Sequence, residues 1–183
     1  MRFISKSWTP LSLTILVLAG LWIWFSAADS EEMASADIAA PQEGFNAPEF
    51  RLETLSGDEI SLADLHGSPV VVNFWASWCP PCRSEMPAIQ NVYTQYKPQG
   101  LRVLAVNLTH QDRLPEVSAF VQENKLTFPI LLDQDGKVSS RYQTHSLPTT
   151  FFIDGNGIIQ HVVIGGPMRE PLIINRVESL FQE

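Results

Sequence analysis

A pair of cysteines at the junction of a buried strand and a helix is the feature that most restricts the fold of this chain. The 183 residues contain two cysteines, both within the run Trp78-Cys79-Pro80-Pro81-Cys82. The apolar residues 69–75 before them are typical of a strand that is buried on both faces. Because proline is tolerated in the first turn of a helix, a helix is predicted to begin near Pro80. The cysteines are therefore expected where a strand passes directly into a helix.

After residue 49, strand-like and helix-like patterns alternate along the chain. Apolar runs and turn signals predict strands at 50–52, 59–62, 69–75, 101–107, 128–132, 149–153 and 158–164. Apolar residues at helical spacing predict three buried helix faces, formed by Met86, Ile89, Tyr93 and Tyr96, by Val117, Phe120 and Val121, and by Ile173, Val177, Leu180 and Phe181. A leading hairpin, a β-α-β-α-β unit and a β-β-α unit together predict an α/β fold, with a mixed sheet and helices on both of its faces.

The composition is that of a folded, acidic protein. Hydrophobic residues make up 45% of the chain and charged residues 17%, which supports a packed core. The net charge of −8 argues against binding to a nucleic-acid backbone. Two cysteines exclude a scaffold held by several disulfides, and a four-ligand zinc site would lack its second cysteine pair. We therefore predict no metal and no cofactor other than a redox-active disulfide.

The N-terminal segment predicts export of the rest of the chain. Residues 11–28 carry no charge, with Arg2 and Lys6 before them and acidic residues after them. A run of this length can cross a bilayer as a helix, and the preceding basic residues place the N-terminus in the cytoplasm. Small residues at 26–28 leave a cleaved signal peptide open. The predicted organisation is an anchor or signal peptide at 1–28, a linker at 29–41 and a globular domain at 42–183.

Position distinguishes the two cysteines. Cys79 lies at the predicted start of the helix, where the helix dipole and free N–H groups favour a thiolate. The thiolate is the attacking species in thiol–disulfide exchange, so Cys79 is the predicted nucleophile and Cys82 the resolving thiol. Pro80 and Pro81 supply no N–H groups, so we expect only modest stabilisation of the thiolate and therefore a reducing couple. A structural disulfide and half of a metal site are the alternatives.

Several motifs occur in the order found in one superfamily. They are Val72–Pro87 with the cysteine pair, Ala105-Val106-Asn107, and Leu147-Pro148-Thr149-Thr150. With the leading hairpin, they resemble the thioredoxin superfamily over residues 42–183, and within it the membrane-anchored TlpA/ResA-like thiol–disulfide oxidoreductases of the bacterial envelope. The resemblance implies a thioredoxin-like mixed sheet flanked by helices, with an N-terminal β-hairpin extension and a single N-terminal transmembrane anchor.

The resemblance also assigns roles to individual residues. Pro148 matches the cis-proline that faces the active disulfide. Because a proline has no N–H group, the neighbouring backbone of Leu147 is left to pair with an extended substrate segment. Trp78 is expected to form part of the same docking surface. Glu85 matches an acid that exchanges protons with the cysteine pair, and burial would raise the pKa of that carboxyl. A solvated glutamate on the first turns of the helix is the alternative.

Two positions depart from what relatives carry. Asn73 stands where many cytoplasmic thioredoxins keep a buried aspartate, and an asparagine cannot titrate. Some relatives carry a second acid in the loop after the Ala-Val-Asn strand. In the loop 108–112 of this chain the nearest equivalent is His110, either a solvated loop residue or a proton-active edge of the site.

The function implied by the resemblance is the reduction of protein disulfides on the periplasmic side of an inner membrane. A membrane thiol relay would supply the electrons, and apocytochrome c thiols are the best-known substrate class of the family. One alternative is a copper-binding chaperone of the Sco type, using both cysteines and a histidine such as His145, or electron donation to copper-site assembly. The cysteines of the Sco type are spaced as Cys-x-x-x-Cys, with one residue more between them than in this chain, so the spacing argues against this alternative. A third hypothesis is a peroxidase of the peroxiredoxin type, to which the leading hairpin and residues 133–136 are similar. The Pro-x-x-x-Thr-x-x-Cys context of the reactive cysteine in peroxiredoxins is absent from the sequence.

Overall fold

A computed structural model of the chain describes residues 39–182. The strands are β1 (Arg51–Glu53), β2 (Glu59–Ser61), β3 (Val70–Trp75), β4 (Arg102–Asn107), β5 (Ile130–Leu132), β6 (Thr149–Ile153) and β7 (Ile159–Ile164). The helices are α1 (Pro80–Tyr96), α2 (Leu114–Glu123), α3 (Lys137–Arg141) and α4 (Glu170–Ser179). No helix within this part of the chain is long and apolar enough to span a membrane. The anchor predicted at 1–28 lies outside the described residues.

Five strands form one mixed sheet in the order β5-β4-β3-β6-β7. Strand β3 is its centre, parallel to β4 on one side and antiparallel to β6 on the other. All six residues of β3 are buried, as expected for a strand covered on both faces. The hairpin β1-β2 forms a separate two-stranded sheet. The mixed sheet and the leading hairpin predicted from the sequence are both confirmed.

The two faces of β3 belong to two separate apolar cores. Val71 and Trp75 pack with buried residues of α1, α2 and α4. Val70, Val72 and Phe74 pack on the opposite face, where Tyr142 and Phe151 surround Phe74. Side chains alternate between faces along a strand, so a single buried segment can anchor both cores.

Most residues of the predicted helix faces are buried, and Val121 is partly buried. Met86, Ile89, Tyr93 and Tyr96 are all in the core. Phe181, however, lies beyond the last residue of α4 and is partly exposed, with its ring stacked on that of Tyr96. The short helix α3 was not predicted, because five residues are too few to show a helical period.

The segment before β1 covers the outer edge of β7. Gly44 N–H donates to Ile159 O at 2.8 Å, and Ile159 N–H donates to Phe45 O at 2.9 Å. The carboxylate of Glu43 accepts from Val162 N–H at 2.9 Å. These contacts satisfy backbone groups that an edge strand would otherwise present to other chains.

This covering predicts different stabilities for two N-terminally shortened chains. A fragment of residues 39–183 should fold cooperatively, whereas a fragment of residues 47–183 loses three hydrogen bonds to β7. At about 1 kcal/mol for each bond, the shorter fragment should unfold at a temperature lower by about 10 °C. Thermal unfolding followed by circular dichroism measures the difference. Equal unfolding temperatures would show that residues 39–46 contribute nothing to the stability of the sheet edge.

Candidate active site

A tight turn joins β3 to α1 and places the cysteine pair. Cys79 N–H donates to Ala76 O at 3.2 Å, so Ser77 and Trp78 are the central residues of this turn. Cys79 caps α1 and Pro80 is the first helical residue, as predicted from the sequence. Cys79 and Cys82 form a disulfide with their Cα atoms 5.3 Å apart. The strand, the turn and the helix therefore all meet at Cys79.

The two cysteines are almost inaccessible to solvent. Cys79 is 3% exposed and Cys82 is fully buried. Cys82 N–H reaches the Sγ atom of Cys79 at 3.3 Å, so the helix retains one backbone donor for this sulfur although Pro80 and Pro81 have none. A donor at the first turn of a helix stabilises negative charge on a sulfur. Cys79 is thus the cysteine whose environment suits a thiolate.

Glu85 is a fully buried acid on α1, one turn beyond Cys82. Its Oε1 atom accepts from Asn73 Nδ2 at 2.9 Å, and its Oε2 atom accepts from Met168 N–H at 2.9 Å. Burial raises the pKa of Glu85 to about 7, although both hydrogen bonds act in the opposite direction. The solvated alternative for this residue is therefore wrong, and its carboxyl titrates near neutrality.

Asn73 links this acid to the neighbouring strand. Its Nδ2 group also donates to Thr150 Oγ1 at 2.8 Å, while its Oδ1 atom has no hydrogen-bond partner. A Cβ atom added at Gly166 would stand 2.6 Å from Pro148 Cγ and 2.8 Å from Glu85 Oε2. Glycine is therefore needed at this position, and the carboxyl lies within reach of the loop that carries Pro148.

A cleft of about 400 Å³ opens beside Cys79. The Leu147–Pro148 peptide bond is cis, as the resemblance implied, and Leu147 lines the cleft together with Trp78 and Pro81. The side chain of Trp78 is 55% exposed. Among the described residues that line the cleft, His145 is the one with an ionisable side chain while Cys79 is in its disulfide. The cleft thus suits an uncharged, partly apolar segment of a partner.

The loop after β4 approaches the site through a residue that the sequence analysis did not select. The ring of His110 lies over Gly136, and its Nδ1 atom is 3.2 Å from Asp133 O. Asp112 instead contacts Ser77, in the turn before Cys79. The parallel pairing of β3 and β4 places the start of this loop beside the end of β3, but the conformation of the loop decides which of its side chains reaches Ser77. Within residues 39–182, no three His, Cys, Asp or Glu side chains are grouped as a metal site would require.

The raised pKa of Glu85 predicts a pH-dependent stability. Between pH 4.5 and about 7, the native protein retains a proton on Glu85 that the unfolded chain has already released. This contribution to the free energy of unfolding is complete below pH 4.5 and is lost as the pH rises through 7, a change of about 3 kcal/mol. We expect the oxidised protein to lose that amount between pH 4.5 and 8, relative to Glu85→Gln. Denaturant unfolding of the wild type and of Glu85→Gln at both pH values measures this loss. If the free energies of unfolding of the two proteins changed equally between the two pH values, Glu85 would not titrate in this range.

Comparison with known proteins extends this description. The AhpC/TSA family model matches residues 44–162. The thioredoxin-like protein YneN of Bacillus subtilis is 46% identical, over 87% of this chain and 91% of that protein. The thiol-disulfide oxidoreductase ResA of Oceanobacillus iheyensis is 38% identical, over 76% of this chain and 71% of that protein.

A solved structure shares both the sequence similarity and the fold. The crystal structure of StoA from Bacillus subtilis superimposes with a TM-score of 0.62 at 34% identity, covering 70% of this chain and 96% of that chain. The Oceanobacillus iheyensis relative is named a thiol-disulfide oxidoreductase, as is the sporulation thiol-disulfide oxidoreductase A of Bacillus subtilis, which is 35% identical over 90% of this chain and 95% of that protein. The disulfide Cys79–Cys82 has the Cys-x-x-Cys spacing. The chain therefore belongs to the AhpC/TSA family, as a thioredoxin-like thiol–disulfide oxidoreductase related to ResA and StoA.

Proposed function

We propose that this protein is a reductant of protein disulfides outside the cytoplasm, acting through the dithiol form of Cys79 and Cys82. The observation that carries the proposal is the combination of a helix-capping cysteine with a buried acid on the same helix. The capping position favours the thiolate that attacks, and the pKa of Glu85, raised to about 7, suits proton exchange at neutral pH.

The chemistry proceeds in two exchange steps. The Cys79 thiolate attacks one sulfur of the substrate disulfide, a mixed disulfide forms, and the other substrate sulfur leaves as a thiolate that takes up a proton. Cys82 then gives up its proton, and its thiolate attacks the Sγ atom of Cys79. The second substrate thiolate leaves, and the Cys79–Cys82 disulfide forms. Two electrons have passed to the substrate, and Glu85 is the group that we assign to proton exchange with the cysteine pair.

Trp78, Leu147 and Pro148 are the residues that we assign to substrate binding. The exposed indole of Trp78 offers an apolar surface beside Cys79, and Leu147 lines the same cleft. Aromatic side chains exposed in this way are common anchors in protein interfaces. An extended segment of an unfolded or partly folded protein fits this surface better than a small charged molecule does.

The location and the partners in this proposal rest on the sequence. The anchor at 1–28 and the linker at 29–41 would hold the domain on the periplasmic side of the inner membrane. A membrane thiol relay would return electrons to the oxidised pair, and apocytochromes c are the first substrates to test. The protein needs no cofactor in this scheme, since the cysteine pair itself carries the electrons.

A trapping experiment tests the proposed function. In Cys82→Ser the second exchange step cannot occur, so the full chain expressed in its native envelope should accumulate mixed disulfides through Cys79. Non-reducing electrophoresis and mass spectrometry identify the partners, and Cys79→Ser is the matched control that should trap none. Exported proteins with cysteine pairs are the expected partners. Trapping by Cys79→Ser instead, or partners confined to the cytoplasm, would contradict the proposal.

The role of Glu85 predicts a change in the thiolate titration. Above pH 7 its carboxylate disfavours a second negative charge on the nearby sulfur, so Glu85→Gln should move thiolate formation to lower pH by about one unit. Thiolate absorbance of the reduced protein against pH measures this shift. The exposed acid Asp64 provides the control Asp64→Asn, which should leave the curve unchanged. Superimposable curves for the wild type and Glu85→Gln would remove Glu85 from the mechanism.

A further inference from the structure

The turn before Cys79 is held from outside by one acidic side chain. Asp112 Oδ2 accepts from Ser77 N–H at 2.6 Å, and Asp112 Oδ1 accepts from Ser77 Oγ–H at 2.6 Å. The carboxylate thus binds the backbone and the side chain of the same residue. Ser77 is one of the two central residues of the turn that ends at Cys79, so this contact bears directly on the position of the nucleophile.

The same carboxylate is fixed on its own side by two further donors. Asn107 Nδ2 donates to Asp112 Oδ2 at 2.8 Å, and Arg113 N–H donates to Asp112 Oδ1 at 2.8 Å. Burial alone would raise the pKa of Asp112, but the bonds from Ser77, Asn107 and Arg113 outweigh it and lower the pKa. The acid is therefore ionised at neutral pH, and its charge-assisted bonds are stronger than neutral ones.

Two further polar groups of the turn are also bonded to neighbouring elements. Trp78 Nε1–H donates to Gln111 O at 2.9 Å, in the loop that carries Asp112. Arg83 Nη1–H donates to Ser77 O at 3.2 Å, and its guanidinium lies 4.5 Å from the centre of the Phe120 ring. Both central residues of the turn are thus tied to the loop after β4, and one of them is also tied to α1.

We propose that Asp112 is a positioning residue for thiol–disulfide exchange, which holds the turn Ala76–Cys79 through Ser77 and so sets the positions of Cys79 and Trp78. The side chain of Asp112 acts through Ser77 and need not touch the reacting sulfur atoms. Exchange requires the sulfur atoms to approach in line, and small displacements of a reacting group are costly in rate. The inference rests on the family's thiol–disulfide activity at Cys79, and not on the location or substrates proposed above.

Steady-state reduction of insulin by the full chain tests this role at a temperature well below unfolding, with excess dithiothreitol supplied to re-reduce the Cys79–Cys82 disulfide after each turnover. Asp112→Asn keeps the size of the side chain but places an NH₂ group where an oxygen of Asp112 accepts a hydrogen bond from Ser77. This change should lower kcat/KM by about tenfold. Ser77→Ala removes one of the two bonds and should lower kcat/KM by about threefold. In the double variant the loss should stay near tenfold instead of reaching the product of the two, because both changes break the same contact.

Two controls separate positioning from stability and from charge. Asp64→Asn removes the same charge from an exposed site and should match the wild type. The unfolding temperature of each oxidised variant is measured in parallel. Multiplying losses in the double variant, or wild-type kcat/KM in Ser77→Ala, would overturn the proposal, as would a lower unfolding temperature with unchanged kinetics in Asp112→Asn. If none of the chains reduces insulin, wild type included, the proposed function fails instead; thiolate exchange of Cys79 with a small aromatic disulfide then replaces insulin, with the same fold-changes expected.

Discussion

The parallel pairing of β3 with β4 is the interaction on which the whole site depends. It aligns Trp75 with Asn107, so the two strands end side by side at one edge of the sheet. Leu108 N–H donates to Trp75 O at 3.0 Å just beyond the last pair. One chain then turns into α1 and the other enters the loop to Asp112. In parallel sheets the carboxyl ends of neighbouring strands are where functional residues gather, and here both contribute to the environment of Cys79.

A second consequence of the packing is a carboxyl group that titrates near neutrality. The side chain of Glu85 points from α1 into the core, where it accepts hydrogen bonds from two neutral donors, Asn73 Nδ2 and Met168 N–H. Neutral donors offset only part of the desolvation of a carboxylate, so the pKa remains raised. Above neutral pH this burial lowers the stability of the fold. Such a compromise is typical of functional sites, where perturbed pKa values concentrate.

The exposed and the buried parts of the site have different tasks. Cys79 is 3% exposed while the neighbouring Trp78 is 55% exposed, so in the proposed function a partner contacts the indole before it reaches the sulfur. In the proposed function, a substrate segment reaches Cys79 through the cleft that Leu147 lines. The hydrogen bonds that the turn donates to Asp112 and to Gln111 O hold Trp78 and Cys79 in a fixed position relative to each other. In the proposed function, the backbone of the turn would therefore couple the docking of a substrate to the exchange step.

Local patterns in the sequence determined the strands of the sheet, the start of α1 at Pro80 and the candidate roles of Cys79 and Cys82, because burial, helix capping and cysteine chemistry are read from neighbouring residues. The burial of Glu85 could be expected only by resemblance, since its partners Asn73 and Met168 lie far away along the chain. The sequence predicts His110 as the equivalent of the second acid, whereas Asp112 is the residue that contacts Ser77, because the loop conformation decides which side chain points towards the turn. The five-residue helix α3 and the position of Phe181 beyond α4 likewise escape periodicity. Contacts between distant segments set the pKa of Glu85 and the position of the turn, so only the tertiary structure could decide them.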